Sequence, residues 1–131
     1  MEVSTFRLTR SARANLDDIL VWSAENFGLA AELRYSTLII QAIKDVAQVP
    51  GHPLIVWERV GRREVGFYHI SHSRRHVPNP DDQVAEPRHY LVFRHQPEDV
   101  IEILGIIHER MLRRKAVREI FRKIEKVGLR P

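Results

Sequence analysis

The chain has 131 residues, of which 44% are hydrophobic and 29% are charged, so we expect one packed domain rather than a disordered chain. Cysteine is absent, which excludes disulfides, a thiolate nucleophile and a cysteine zinc site. No apolar run reaches the ~18 residues of a transmembrane helix, and the N-terminus shows no signal peptide. We therefore expect a cytoplasmic protein with no membrane partner.

The net charge is unevenly distributed along the chain. Of the 21 basic and 17 acidic residues, residues 110–131 contain nine basic and two acidic ones, which gives this segment a net charge of +7. Residues 1–109 carry −3, and the whole chain carries +4. A basic end suits an anionic partner, either an acidic protein or nucleic acid, but it is equally typical of the solvent-exposed face of a terminal helix.

The first half of the chain predicts a strand and a helix hairpin. Thr5–Arg10 alternates apolar and polar residues, as in a short strand. The first helix has Ser11 as its predicted N-cap and ends at Gly28. Its apolar stripe comprises Leu16, Ile19, Leu20, Ser23 and Phe27. A second helix follows directly, with its stripe in Ala31–Val46 and a break at Val49–Pro53, so we expect the two helices to pack antiparallel.

After the hairpin the hydrophobic period changes from helical spacing to alternation, which predicts strands. Glu64–Ser71 and Arg88–Arg94 are rich in aromatic and β-branched residues, and Ser73–Pro87 between them is predicted to be a long exposed loop. Gln96–Asp99 forms a hairpin turn, and the apolar strand Val100–Ile107 follows it. Strict alternation places one set of side chains, Ile101, Ile103 and Ile107, on one face, and Leu104 and Ile106 on the other. We expect both faces to be covered.

The end of the chain predicts a basic amphipathic helix. Its apolar stripe comprises Val117, Ile120, Phe121, Ile124 and Val127. Such a helix packs on its own sheet, docks on a partner or lies on a membrane surface, and the first is favoured. In the second case Val117 and Phe121 are partner-binding residues. Trp22 lies off the main apolar stripe of the first helix, so it either contacts a partner or packs under the second helix.

The predicted architecture is α+β. It consists of a strand, an antiparallel helix hairpin, a three-stranded antiparallel meander and the C-terminal basic amphipathic helix. We assign residues 1–112 to one domain, and residues 113–131 to a helix that is packed on that domain or extends from it.

Several segments resemble the RelE/ParE superfamily of toxins from bacterial toxin–antitoxin operons. The helix hairpin is similar to that of the family at Leu16–Ile19, Trp22, Asn26–Gly28, Ala31 and Tyr35. The strand Pro87–Arg94 resembles the third strand of the family, and Val100–Leu104 followed by Ile106–Met111 resembles the ending of the ParE (plasmid stabilisation) branch. The chain departs from the pattern at Gly105, where the family usually has arginine, and at Leu112, where it often has aspartate.

The resemblance implies a growth-inhibiting toxin that a cognate, ParD-like antitoxin neutralises, possibly in a hetero-oligomer. Toxins of the ParE branch poison DNA gyrase by binding it, without catalysis and without a cofactor. The basic charge and the family motif meet at the C-terminal end, so we expect the target-binding surface there. It comprises Arg110, Met111, Arg113, Arg114, Lys115 and Arg118.

Two alternatives stay open. Toxins of the RelE branch are ribosome-dependent mRNA endoribonucleases, whose metal-independent chemistry requires a base, an acid and cations around the phosphate. The candidates for those roles are Arg63, Tyr90, Arg94, His95 and His108. A degenerate toxin that retains only antitoxin binding is the second alternative, because the family arginine is replaced at Gly105. His69, His72 and His76 do not predict a metal site, because residues three apart on a strand point to opposite faces.

Overall fold

The computed structural model describes residues 5–128, which contain five strands and three α-helices. In chain order they are β1 (Thr5–Leu8), α1 (Arg10–Phe27), α2 (Leu29–Gln48), β2 (Val56–Val60), β3 (Arg63–His69), β4 (His89–Gln96), β5 (Val100–His108) and α3 (Arg113–Gly128). The side chain of Val127, predicted for the stripe of the last helix, lies outside the described side chains.

The strands form one sheet in the order β1-β5-β4-β3-β2, in which β1 is parallel to β5 and the other neighbours are antiparallel. The predicted α+β class is confirmed, and the antiparallel meander has one strand more than the sequence predicted. The additional strand β2 lies at the sheet edge and turns into β3 at Gly61, whose φ of +65° favours glycine. The alternation of apolar and polar residues in β2 is short and directly follows the proline break, so the sequence does not predict this strand.

Helix α1 begins two residues earlier than the prediction. The N-cap is Thr9 and not Ser11, because the Thr9 hydroxyl accepts a hydrogen bond from the Ala12 N–H at 3.1 Å. The same hydroxyl donates to the Leu104 carbonyl at 3.1 Å, which fixes the start of α1 to β5. Gly28 ends α1 with a φ of +91°, as predicted. Phe27, predicted for the buried stripe, is instead 67% exposed.

The sheet has a hydrophobic core on each face. On one face, Leu38, Ile39, Ala42 and Val46 of α2 pack against strand residues. On the other face, α3 packs on the sheet of its own chain through its three buried side chains, Val117, Ile120 and Phe121. The prediction that both faces of β5 are covered is therefore confirmed.

A β-bulge in β5 makes the predicted assignment of its faces wrong at two positions. Val92 pairs with Gly105 and Phe93 pairs with Ile103, so Leu104 is an extra residue in the ladder. The alternation shifts by one, which places Ile106 in the core on the α1–α2 face and Ile107 in the core under α3. Beyond the bulge, the Ile106 N–H donates to Asn15 Oδ1 of α1 at 3.1 Å.

The segment Ser73–Pro87 is more ordered than the predicted exposed loop. It contains parts of two short 3-10 helices, Ile70–His76 and Pro80–Asp82. Ser73 is buried and its hydroxyl lies 2.8 Å from the Tyr68 hydroxyl, while Val77 is buried in the core on the α1–α2 face. Isolated apolar residues in a polar segment thus anchor it to the domain.

Candidate functional site

A groove opens between the helix hairpin and the ends of β4 and β5. Its volume is about 790 Å³. Its apolar walls come from α1 and α2 and from the segment that leads into β4, and they comprise Ile19, Trp22, Phe27, Ala31, Val84 and Ala85. Apolar walls with a few polar groups are typical of a binding site.

Two aromatic side chains form the outer edge of this groove. Trp22 is 56% exposed, and its ring packs edge-on against Phe27 with 5.5 Å between centroids. The Asn26 side chain donates to the Trp22 carbonyl at 2.8 Å and holds the end of the helix. Large aromatic side chains at the edge of a groove are the residue type that anchors protein interfaces.

The floor of the groove contains a tyrosine–histidine pair. The Arg88 N–H donates to the Tyr35 hydroxyl oxygen at 3.0 Å, and this hydroxyl shares a hydrogen bond of 2.5 Å with His89 Nδ1. Burial, and then the nearby His108 and His69, lower the pKa of His89 to about 4. Burial also raises the pKa of Tyr35. The pair is therefore neutral near pH 7.

His108, a nuclease candidate, lies beside this pair. Its ring centroid is 5.3 Å from that of His89, and its Nδ1 accepts the Arg110 N–H at 3.1 Å. Because the His108 Nδ1 atom is an acceptor, Nε2 carries the hydrogen in the neutral His108 ring. Neither this atom nor His89 Nε2 forms a hydrogen bond with another residue in the described part of the chain, and both residues line the groove. The floor thus offers two imidazole Nε2 atoms to a bound group.

Charged side chains surround the mouth of the groove. Arg88 is held by Glu86 at 2.8 Å and by Glu109 at 3.0 Å. Arg34 and Arg110 also line the groove, and within residues 5–128 their guanidinium groups form no ion pair. Asp18 and Glu86 are the acidic lining residues. Because Arg88 engages Glu86, the unpaired cations outnumber the unpaired carboxylate, which favours an occupant with acidic groups.

A second polar network joins the ends of β3 and β5 next to the groove. His69 Nδ1 lies 2.7 Å from the Ser71 hydroxyl, and His69 Nε2 lies 2.8 Å from the Glu109 carboxylate. Hydrogen bonds from Arg88 and His69 lower the pKa of Glu109. The order serine, histidine, carboxylate resembles a hydrolase triad, but the Ser71 N–H also bonds to His69 Nδ1, as in a helix N-cap. Neither Ser71 nor His69 lines the groove.

Because His89 stays neutral in the folded chain, we expect the protein to lose stability in mild acid. The folded pKa of about 4 lies below the ordinary value of 6.5, so the unfolded chain binds more protons between these values. We expect the free energy of unfolding to fall by about 2 kcal/mol between roughly pH 6.5 and pH 4.5. Urea titrations at these pH values measure the change. The variant His89→Gln should flatten the profile; equal slopes in wild type and His89→Gln would refute the assignment.

The structure brings only two of the nuclease candidates together: Arg63 and Arg94 both lie over the Phe121 ring, and Arg94 is 5.5 Å from its centroid. Arg63 pairs with Glu125 and lies over the Phe121 ring, 4.3 Å from its centroid. Arg94 bonds to the buried Glu102 at 2.7 Å, and His95 pairs with Asp99 at 2.7 Å in the β4–β5 turn. His108 faces the groove on the hairpin side of the sheet, and Tyr90 packs with the core under α3.

The predicted target-binding residues lie at the end of β5 and along α3. Arg110 and Met111 are exposed, as are Arg114, Lys115 and Arg118. Arg113 differs from them: its guanidinium pairs with Glu58 at 2.7 Å and lies 5.3 Å from the Phe67 ring centroid, so it also fastens α3 to the sheet. The neighbouring Leu112 is 73% exposed, the highest exposure among the large apolar side chains described.

Of the three predicted partner-binding residues, the described conformation leaves only Trp22 accessible. Val117 and Phe121 are enclosed between α3 and the sheet. The expectation that these two side chains meet a partner does not hold for the folded chain, because the sheet of the same chain occupies their surface.

Residues 5–128 contain no helix that is long and apolar enough to cross a membrane. The same residues contain no group of three histidine or acidic side chains placed to share a metal ion. His76, one of the three histidines considered above, pairs with Asp45 at 2.7 Å.

Known proteins resemble this chain both in sequence and in fold. The family described as the ParE toxin of the type II toxin–antitoxin system, parDE, matches residues 6–113. No curated protein matches the chain significantly. A solved chain of the chromosomal ParDE TA system from P. aeruginosa is similar in fold, with a TM-score of 0.50 and 18% identity over 81% of this chain and 96% of that chain. Most of α3 lies beyond the matched residues.

Proposed function

This chain belongs to the ParE family of toxins of type II toxin–antitoxin systems, and from that premise we propose that it inhibits DNA gyrase and is neutralised by a cognate antitoxin. In this proposal the protein acts in the cytoplasm, where its target lies, by binding rather than by catalysis. The separation of His95 and His108 from the pair of Arg63 and Arg94 supports binding, because general acid–base cleavage needs an acid, a base and cations around one phosphate.

The groove edged by Trp22 and Phe27 is the observation that best supports an antitoxin partner. We propose that it receives an amphipathic helix from a ParD-like antitoxin, with an apolar side chain against Trp22 and acidic side chains near Arg34 and Arg110. The apolar walls supply the burial, and the unpaired guanidinium groups supply charge complementarity.

The exposed segment after β5 is the proposed gyrase-binding surface. Met111 and Leu112 present apolar side chains at 54% and 73% exposure, next to Arg110, Arg114, Lys115 and Arg118. An exposed apolar pair bordered by cations has the anatomy of a protein-binding patch. In the proposed assignment Arg113 serves mainly to hold α3 in position, because Glu58 already neutralises it.

Truncation of Trp22 tests the antitoxin proposal. We expect Trp22→Ala to weaken the complex with the proposed cognate antitoxin by at least about 30-fold, because an interface anchor contributes roughly 2 kcal/mol or more. Isothermal titration calorimetry measures the dissociation constant. The wild-type complex should persist in high salt, since apolar contacts are not screened.

The matched control is Leu33→Ala on the neighbouring helix α2. Leu33 is 69% exposed and is not one of the residues that line the groove. We expect its truncation to change the dissociation constant less than about threefold, well below the loss expected at an anchor. Equal losses in the two variants, or none in Trp22→Ala, would show that the antitoxin binds elsewhere.

A further inference from the structure

The outer face of α3 is entirely charged. From Arg114 to Lys126, every exposed position of the helix carries a lysine, an arginine or a glutamate. The apolar side chains of the helix face the sheet, where Val117, Ile120 and Phe121 are buried. This face is therefore an electrostatic surface without an apolar contact area.

Both acidic residues of this helix are already neutralised by arginines. Glu119 pairs with Arg122 at 2.8 Å, and Glu125 pairs with Arg63 of β3. Arg114, Lys115 and Arg118 form no ion pair within residues 5–128 and are exposed. These three residues, which we call the α3 cation cluster, leave the face with a net positive charge that no part of the described chain compensates.

The spacing of the arginines places them in a row along the helix axis. Arg114, Arg118 and Arg122 are four residues apart, so they lie on one side of the helix at intervals of about 6 Å. Between α3 and the β2–β3 turn lies a recess of about 220 Å³ that includes Arg63, Arg118 and Arg122 in its lining. Guanidinium groups bind phosphate oxygens in a bidentate geometry, and a row of them suits a row of phosphates.

The absence of an apolar anchor on this face decides between the classes of anionic partner. A stable protein interface needs aromatic or aliphatic side chains at its centre, and every exposed position from Arg114 to Lys126 is charged. A helix that lies on a membrane inserts its apolar stripe, and here the sheet already covers that stripe. A polyanion bound through its charges alone remains, and nucleic acid is the polyanion with closely spaced phosphates.

We propose that the outer face of α3 binds the phosphate backbone of duplex DNA. The inference rests on the proposed function, because a toxin bound to gyrase lies close to the DNA that gyrase binds. It divides the proposed target surface: Met111 and Leu112 contact gyrase, and the α3 cation cluster contacts the DNA. The cluster lies outside the residues that match the ParE family, so the proposed DNA contact is a feature of this chain and does not follow from the family match.

The test uses the full chain and a fluorescein-labelled duplex of about 20 base pairs, with no gyrase present. Fluorescence anisotropy gives the dissociation constant at several salt concentrations. We expect log K to fall with log salt at a slope of about −3 to −5, set by the number of phosphates contacted. The triple variant Arg114→Gln, Lys115→Gln, Arg118→Gln should lower the magnitude of the slope by about 3 and weaken binding at low salt at least about tenfold.

The control carries the same change of charge on the opposite layer of the molecule. Lys44, Arg74 and Arg75 are exposed there and form no ion pair within the described residues. The variant Lys44→Gln, Arg74→Gln, Arg75→Gln should retain the wild-type slope and bind within about twofold of wild type. Circular dichroism confirms that each variant is folded, and the single change Arg118→Gln, expected to lower the magnitude of the slope by about 1, serves if the triple variant does not fold.

Three results would overturn the inference. One is an equal loss in the two triple variants, and another is a wild-type affinity that does not depend on salt. The third is preferential binding to polyglutamate of equal charge, which would indicate an acidic protein partner. A chain that inhibits gyrase without binding DNA refutes this inference alone, whereas a chain that binds DNA and leaves gyrase active refutes the proposed function alone.

Discussion

Replacing Gly105 with arginine should lower the free energy of unfolding by about 3 kcal/mol or more. A Cβ atom at this position would lie 2.7 Å from Ile120 Cδ1 and 3.2 Å from Asn15 Oδ1. The long side chain would have to enter the buried contact between β5 and α3, and either α3 leaves the sheet or the core rearranges. Urea denaturation of wild type and Gly105→Arg measures the difference.

Leu112→Arg is the matched control for that variant. It introduces the same side chain seven residues later, at a position that is 73% exposed. We expect it to change the free energy of unfolding by less than about 0.5 kcal/mol, as surface substitutions do. If Gly105→Arg were as stable as Leu112→Arg, α3 would not be seated over Gly105.

The presence of glycine at position 105 has a steric explanation that the sequence alone does not show. The resemblance drawn from the sequence implies an arginine at Gly105, and this departure kept a degenerate toxin open as an alternative. In the structure, the absence of a side chain at Gly105 lets Ile120 of α3 approach the strand. Glycine at position 105 therefore makes room for α3, a helix that lies mostly beyond the residues matched to the family.

The second prediction concerns the inhibition of gyrase by Met111 and Leu112. The double variant Met111→Asp, Leu112→Asp should raise the concentration for half-inhibition of supercoiling at least about 30-fold, because charged side chains cannot replace apolar anchors in a desolvated contact. Both side chains are exposed, so the fold should be unaffected. The change is read in a supercoiling titration with purified gyrase.

Leu33→Asp provides the comparison, since Leu33 is 69% exposed and lies on α2, on the opposite face of the sheet from α3. It should inhibit like wild type. The double variant should also still bind duplex DNA, because it keeps the α3 cation cluster. Inhibition unchanged by the double variant would remove Met111 and Leu112 from the target surface.

Periodicity predicted most of the fold because each long element buries one continuous face. The stripe of α2 occupies the expected core, and the apolar run of β5 is covered on both faces as expected. The failures lie where a local hydrogen bond decides the geometry. Thr9 rather than Ser11 caps α1 because its hydroxyl also reaches the Leu104 carbonyl, and the bulge at Leu104 reverses the faces of Ile106 and Ile107.

The groove was predictable only in part. Trp22 was singled out from its position off the apolar stripe, and its exposure agrees with that interpretation. The pair of Tyr35 and His89 was missed because the two residues are 54 positions apart and belong to different kinds of element. Periodicity carries no information about such a contact; the only sequence signal was two polar aromatic side chains on otherwise apolar faces.

The most direct test of the central claim is a supercoiling assay of the purified wild-type chain with purified gyrase. The account predicts that the free chain inhibits supercoiling and that its antitoxin, added in equal amount, restores it. A chain that leaves gyrase active but cuts mRNA on translating ribosomes would contradict the account in favour of the nuclease alternative. A chain that does neither would show that only the antitoxin-binding fold has been retained.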